Sequence, residues 1–285
     1  MTPQTVLITG ATDGVGRYVA LELARAGARI LIHGRNRQRA DQLMDQIRGE
    51  GHDRVTFYPA DFASLQAVRD LGQRVLGDVS QLDLLINNAG IFTGPPGTPR
   101  QMTDDGLEMR LAVNYAATVQ LTRLLLPLLG KSRPARIVNV ASLGQQEIDF
   151  SDLMLSREYS GLRAYRQSKL ALIMFTIDLA QELAGTGVTV NSVHPATFMD
   201  TQMVRESGIA PRSTVEDGGR AILHVATAPA LAAVSGQFFD GTVPARALAQ
   251  AYDPQAREQL RRLTGPWITR PASHGYQGLG PAELK

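Results

Sequence analysis

Cysteine is absent from the 285 residues, which excludes disulfide bridges, thiolate metal ligands and a cysteine nucleophile. Lysine is scarce as well. Three occur, at 131, 169 and 285, against 26 arginines, so a lysine inside a motif is less interchangeable than another surface cation. Aromatic residues make up 6% of the chain, with one tryptophan, and no dense basic run is interleaved with them. A nucleic-acid groove is therefore not expected, although the sequence pI is about 9.0 at a formal charge of +2. The five histidines, at 33, 52, 194, 224 and 274, show no metal-ligand spacing, and no metal site is expected. No charged segment leads into a long apolar stretch at the N-terminus, because Val6-Leu7-Ile8 is only strand-long before glycine turns begin. The sequence thus predicts neither a leader nor a membrane span, and reads as a cytoplasmic protein.

What is present is enough apolar content, 44%, for a large core. Short apolar runs alternate with segments of helical period: Thr5–Ile8 then Tyr18–Ala26, Arg29–Ile32 then Arg39–Arg48, Val55–Tyr58 then Leu65–Leu76. Leu82–Ile86, Arg136–Ala141, Thr189–His194 and Gln237–Asp240 continue the strands, with long helices around 106–129 and 164–184. This order predicts an α/β fold: one Rossmann-type, doubly wound parallel sheet of about seven strands, flanked by helices. Its strands are apolar throughout, as burial on both faces demands. Residues 1–252 read as one catalytic, nucleotide-binding domain. Residues 253–285, rich in Arg, Pro and Gly, read as a terminal helix and loosely held tail, not a second domain.

Between the first strand and helix lies Thr9-Gly10-Ala11-Thr12-Asp13-Gly14-Val15-Gly16. Gly10 and Gly14 permit a tight turn and close approach to a pyrophosphate, Gly16 permits close helix packing, and the helix N-terminus faces the phosphates with its positive end. After the second strand comes His33-Gly34-Arg35-Asn36-Arg37. An NAD site commonly carries an acid here for the ribose 2′-hydroxyl; the arginine offered instead can pair with a 2′-phosphate. NADP(H) is therefore expected over NAD(H), with Arg35 and Asn36 at the 2′ position. The alternative is that Arg35, Arg37 and Arg39 form a solvated helix start.

Tyr165 and Lys169 stand four residues apart, on one face of a helix, where the ammonium would favour the ionised phenol. Ser142 follows the Arg136–Ala141 run and falls at a strand's carboxyl end, where ligands gather in open α/β sheets. A hydroxyl to hold a substrate oxygen and a phenol to donate or accept a proton suit hydride transfer between a nicotinamide and a carbonyl or alcohol.

With Asn87-Asn88-Ala89-Gly90 and Asn114 added in the same order and spacing, the chain from about Thr5 to Gly241 resembles the short-chain dehydrogenase/reductase family. Leu82–Gly90 and Gln167-Ser168-Lys169-Leu170-Ala171 are similar to the branch of retinol dehydrogenases and related NADPH-dependent reductases. The resemblance implies that Asp61, with its neighbour Phe62, lies at the adenine, and that Asn88, Ala89 and Gly90 line the adenosine side. It implies that Lys169 bonds the nicotinamide ribose, that Asn114 supports a water-mediated proton relay to it, and that the segment after Pro195 lies beside the nicotinamide. The family often has Pro-Gly at that point, whereas His194-Pro195-Ala196-Thr197 stands here, so the carboxamide contact is left open between Thr197 and Thr201. The resemblance also implies homo-oligomers paired through the two long helices.

Between Ser142 and Tyr165 lie Phe150, Leu153, Met154, Leu155 and Tyr159; after Pro195 come Phe198, Met199, Met203, Val204 and Ile209. Both sets suit the walls of a bulky apolar substrate, or equally the packing of a long loop onto the core. The leading expectation is an NADP-dependent oxidoreductase of hydrophobic small molecules. The alternative is a catalytically silent nicotinamide-nucleotide sensor.

Overall fold

The computed structural model describes residues 4–269. Strands and helices alternate: β1 (Thr5–Ile8), α1 (Gly14–Arg25), β2 (Arg29–Gly34), α2 (Arg37–Gly49), β3 (Val55–Pro59), α3 (Leu65–Asp78) and β4 (Leu84–Asn87). A short α4 (Met109–Leu111) passes through one π-helical turn, Ala112–Ala116, into α5 (Ala117–Leu129). β5 (Ala135–Val140), α6 (Gly161–Glu182), β6 (Val188–His194), α7 (Gln202–Glu206), α8 (Val215–Thr227), β7 (Phe238–Asp240), β8 (Val243–Ala245) and α9 (Pro254–Thr269) follow.

The sheet order is β3-β2-β1-β4-β5-β6-β7-β8. The first seven strands pair in parallel, and β8 folds back antiparallel on β7. Eight strands thus replace the seven expected. The turn into the eighth uses Gly241 at φ +60°, and three residues carrying Pro244 give too short an apolar run to read as a strand. Strand order reverses between β1 and β4, which opens a crevice at their carboxyl ends.

Successive strand residues point to opposite faces, and both faces are buried. Leu7, Leu31 and Leu85 join the core under α3, α5, α6 and α9. Val6, Ile8, Ile30, Ile32 and Ile86 join the core under α1, α2 and α8. Across the first of these layers α9 packs on both α5 and α6. Arg257, itself buried, bonds Asp178 at 2.6 Å, the Tyr115 hydroxyl meets Thr264 Oγ1 at 3.2 Å, and Gln120 Nε2 donates to the Ile268 carbonyl at 3.0 Å. The expected terminal helix is therefore docked, and part of the face expected to pair two copies is covered by the chain itself. The expected tail lies outside the described residues. Among the described residues no helix is long and apolar enough to cross a membrane.

Candidate active site

The glycine turn is built from backbone geometry that other residues resist. Gly10 and Gly14 have φ of +64° and +51°, the left-handed region. A Cβ on Gly16 would lie 2.3 Å from the Gly10 carbonyl oxygen, and one on Gly10 would lie 2.8 Å from Ala89 Cα. Asn88 closes this contact. Its Nδ2 donates to the carbonyls of Thr9 and Gly10 at 2.9 and 3.0 Å, while Thr9 Oγ1 accepts from the main-chain N–H of Asn88 and Ala89. Asp13 caps α1 by accepting from Gly14 N at 2.8 Å, and the first turn of α1 carries no acidic side chain, which leaves the positive end of the helix to a phosphate. Val15 is buried in the core, so only its backbone faces that site. The Thr12 side chain packs against Gly34. These residues fit a nicotinamide dinucleotide.

At the end of β2 the three arginines separate. Arg37 Nε donates to Asp41 at 3.0 Å; Arg39 donates to Asp13 and to Gln202, each at 2.8 Å. Arg35 is exposed, with Asp61 4.0 Å away, and is the guanidinium left for a further anion. Asn36 accepts from Arg39 N at 3.0 Å as the cap of α2, and Asp61 accepts from Ala63 N at 3.0 Å. Phe62 is buried and stacked on His33, with ring centroids 4.3 Å apart, so its ring is taken up by the packing at the end of β2. His33 was not anticipated as a site residue. Its Nδ1 accepts from Gly10 N at 3.3 Å and its Nε2 donates to the Ala60 carbonyl at 3.1 Å, tying the glycine turn to the ends of β2 and β3. Burial pushes its pKa down to about 4, so the ring is neutral, as this pair of bonds requires.

The chemical end lies past the carboxyl ends of β4 and β5. Lys169 is buried, and its Nζ donates to the Val140 carbonyl at 2.8 Å. A Cβ built on Gly90 would lie 3.4 Å from that Nζ and 3.2 Å from Asn114 Oδ1, so the bare glycine leaves both groups open to one space. Asn114 sits in the π turn, a distortion common at functional sites. It holds Ile91 through both N–H and C=O, at 2.8 and 3.0 Å, and donates to Ser168 Oγ at 2.9 Å. The Ser142 hydroxyl lies close enough to the Tyr165 phenol to lower its pKa and accepts from Gly144 N at 2.9 Å.

One expectation is corrected here. The phenol's pKa is raised, with burial the larger cause and the neighbouring Ser142 hydroxyl opposing it; Lys169 stands 5.8 Å from the ring centre and does not reverse that balance. Burial instead lowers Lys169 itself, to about 8. Spacing on a helix gives proximity, but the low dielectric that decides which charge is favoured comes from the tertiary structure.

Residues 4–211 match the family model for short chain dehydrogenases. The chain belongs to the short-chain dehydrogenase/reductase family. It is 37% identical to retinol dehydrogenase 13 of Homo sapiens over 91% of its own length and 82% of that protein. It is 35% identical to polyprenol dehydrogenase of Mus musculus, over 92% and 84%, which sets it in the retinol dehydrogenase-like branch. A short chain dehydrogenase of Burkholderia cenocepacia, solved with NADP, superposes at a TM-score of 0.67 with 28% identity, over 83% of this chain and 95% of that one. As a member of this family the protein is an oxidoreductase acting on CH–OH and C=O groups.

In this dehydrogenase the segment after β6 is held as a strap. Asp200 N donates to the Ser213 carbonyl, Arg212 N donates to that of Phe198, and Ser213 Oγ donates to that of Thr197. Phe198 takes φ +47°, a strained value for a side-chain-bearing residue, with Arg212 over its ring. Thr197 Oγ1 meets His194 Nε2 at 3.1 Å, while Thr201 caps α7 and its methyl group faces Gly14. Thr201 is thus at the phosphate turn, and Pro195 is buried beneath the strap.

Of the expected substrate walls, Phe150, Leu153 and Met154 pack on the main core and Leu155 is buried. They serve the loop's own packing. The apolar groups left exposed near the site are Leu143, beside Ser142; Leu248, whose N–H donates to Gln145 Oε1; Leu162 on the first turn of α6; and Met203 on α7. Leu143, Leu162 and Leu248 were missed by the sequence reading, since exposure is not encoded in local pattern.

Proposed function

We propose that the protein is an NADPH-dependent reductase of hydrophobic aldehydes or ketones, with Tyr165 as proton donor. The observation that carries this is the placing of the Ser142–Tyr165 pair, Lys169 and Asn114 at the carboxyl ends of β4 and β5, beside the Gly90 space and next to the glycine turn. A bound nicotinamide dinucleotide supplies the hydride. Ser142 donates to the carbonyl oxygen and holds it at the phenol, and Tyr165 delivers its proton as negative charge develops there. A phenol kept neutral by burial is ready to donate at neutral pH. Lys169, protonated below about pH 8, stabilises the phenolate left behind and reaches toward the ribose side of Gly90. Asn114 fixes Ile91 and Ser168, which keeps that space open.

Arg35 favours the 2′-phosphorylated cofactor, and the NADP-bound Burkholderia relative supports the same choice. The names of the retinol and polyprenol relatives and the exposed Leu143, Met203 and Leu248 support an apolar substrate. A silent nucleotide sensor would have no use for a serine set beside a half-buried phenol. We also read residues 1–252 as the single catalytic domain, with α9 as its appendage, in a cytoplasmic protein. A panel of short and long aldehydes, ketones and secondary alcohols, followed by nicotinamide absorbance, tests the reading. Turnover of hydrophobic carbonyls with NADPH is expected, and Tyr165→Phe should abolish it while binding NADPH with little change. Full activity in Tyr165→Phe would reject the assignment.

A further inference from the structure

Phe92 meets Tyr165 edge to face, ring centroids 4.6 Å apart at 90°. It belongs to a strap, Ile91-Phe92-Thr93, that leaves β4 and runs between the π turn and the start of α6. Four main-chain groups of that strap are gripped by two side chains. Asn114 takes the N–H and C=O of Ile91. Arg110 takes the next two carbonyls, donating from Nε to Phe92 at 3.0 Å and from Nη2 to Thr93 at 2.6 Å. Gly161, on the first turn of the helix that bears Tyr165, packs so tightly on the strap that a Cβ there would lie 2.9 Å from the Thr93 oxygen.

Arg110 is 2% exposed and Glu108 1%. Arg110 Nη1 donates to the Tyr159 hydroxyl at 2.8 Å and lies 3.5 Å from Glu108 Oε1, which also accepts from Tyr159 at 3.2 Å. Glu108 Oε2 accepts from the N–H of Arg110 and Leu111 at 2.8 and 2.9 Å, so the pair is locked to the start of α4. A buried ion pair is a poor source of stability, because desolvation offsets its attraction. A planar fork that spans two successive carbonyls is, however, a good source of geometry.

We propose that Arg110 is a positioning residue for the proton donor: by clamping the Phe92 and Thr93 carbonyls it sets the Phe92 ring against Tyr165 and so fixes where the phenol points. This rests on Tyr165 being the donor. The groups facing that phenol are the Ser142 hydroxyl, the Phe92 edge and, further off, the Lys169 ammonium.

Three variants test the clamp. Arg110→Lys keeps the charge but loses the fork; Glu108→Gln with Arg110→Met removes both buried charges together and so guards against an unpaired one; Phe92→Leu leaves the clamp and removes the edge contact. In each, kcat for an NADPH-dependent aldehyde reduction should fall about tenfold to a hundredfold, the range for a donor misplaced by about 1 Å. The NADPH dissociation constant, from nicotinamide fluorescence, should stay within about threefold, since the clamp holds none of the groups set toward phosphate or ribose. A second readout needs no turnover. Titration of protein labelled with 13C at tyrosine Cζ, with Tyr165→Phe assigning the resonance, should show the Tyr165 phenol moving down toward its free value as water reaches it. If the wild type reduces no carbonyl in the panel, the reductase reading falls and this titration still decides the clamp. Folded variants with wild-type kcat, or with an unmoved Tyr165 titration, would overturn it.

Discussion

Lys169 donates to the Val140 carbonyl at 2.8 Å, which ties the middle of α6 to the carboxyl end of β5 and leaves an ammonium buried beside Gly90. Its depressed pKa has a consequence for stability. The unfolded chain holds that proton to about pH 10.5 and the folded chain only to about 8. Burial therefore costs stability in full below pH 8, and the cost is relieved as pH rises from 8 to 10.5. Lys169→Met should unfold at higher urea than the wild type at pH 7, by on the order of 2–3 kcal/mol, with the gain shrinking across that window. The same variant should bind NADPH more weakly in a fluorescence titration. A loss of stability at pH 7 would contradict the first part and unchanged affinity the second.

His33 titrates in the opposite part of the range. Its folded pKa, about 4, lies below the 6.5 of an exposed ring, so the unfolded state binds the extra proton between those values and stability falls as pH drops from 6.5 toward 4. The contribution is on the order of 3 kcal/mol. Melting curves of wild type and His33→Gln between pH 4 and 7 should converge toward the acid end. Parallel curves would mean that His33 is not the source of the acid loss.

For the cofactor, wild type should prefer NADPH over NADH by roughly tenfold to a hundredfold, the effect of a charge-assisted phosphate contact of about 1.5–3 kcal/mol. Arg35→Ala should erase most of it. Arg37→Ala and Arg39→Ala should keep it, because Asp41 and Asp13 already hold those side chains. Equal wild-type affinities would remove the argument.

Substrate size should be read at the exposed Leu143 and Met203 and not at the packed loop residues Phe150, Leu153, Met154 and Leu155. Leu143→Ser and Met203→Ser should lower kcat/KM for long apolar carbonyls more than for short ones, at about 25 cal/mol for each Å² of apolar surface that the substrate no longer buries. Met154→Ala should instead cost about 2 kcal/mol of stability, as expected for truncating a packed side chain, with size selectivity unchanged. The reverse pattern would return the loop to the substrate wall.

Removing residues 254–285 should uncover the α5–α6 face that α9 packs on. The full chain is expected to sediment as a monomer. The truncated chain is expected to self-associate, and to melt lower through loss of the core contacts of Ala256 and Leu260, at about 25 cal/mol for each Å² of apolar surface uncovered. A stable full-length dimer through that face would refute this arrangement.

The parallel order of β1 to β7 and the glycine turn were legible in the sequence because they depend on local rules: apolar runs of strand length, helical period between them, and glycines where only glycine tolerates positive φ. Ser142, Tyr165, Lys169 and Asn114 were legible as a set because their order matches a known family. Their electrostatics were not. The upward shift of the phenol, the downward shift of Lys169 and the neutral His33 arise from burial beneath elements far apart in sequence, and no spacing rule contains a dielectric. The same holds for Arg110 and Glu108, whose burial and pairing come from the strap, Tyr159 and α6 closing around them. Which of Arg35, Arg37 and Arg39 is least tightly held was likewise decided by partners at Asp41, Asp13 and Gln202, and which apolar residues face solvent was decided by how the loop 143–160 folds onto the core. Local chemistry set the elements and named the reacting groups; only tertiary packing determined which of their charges, donors and apolar faces were left unspent for a ligand.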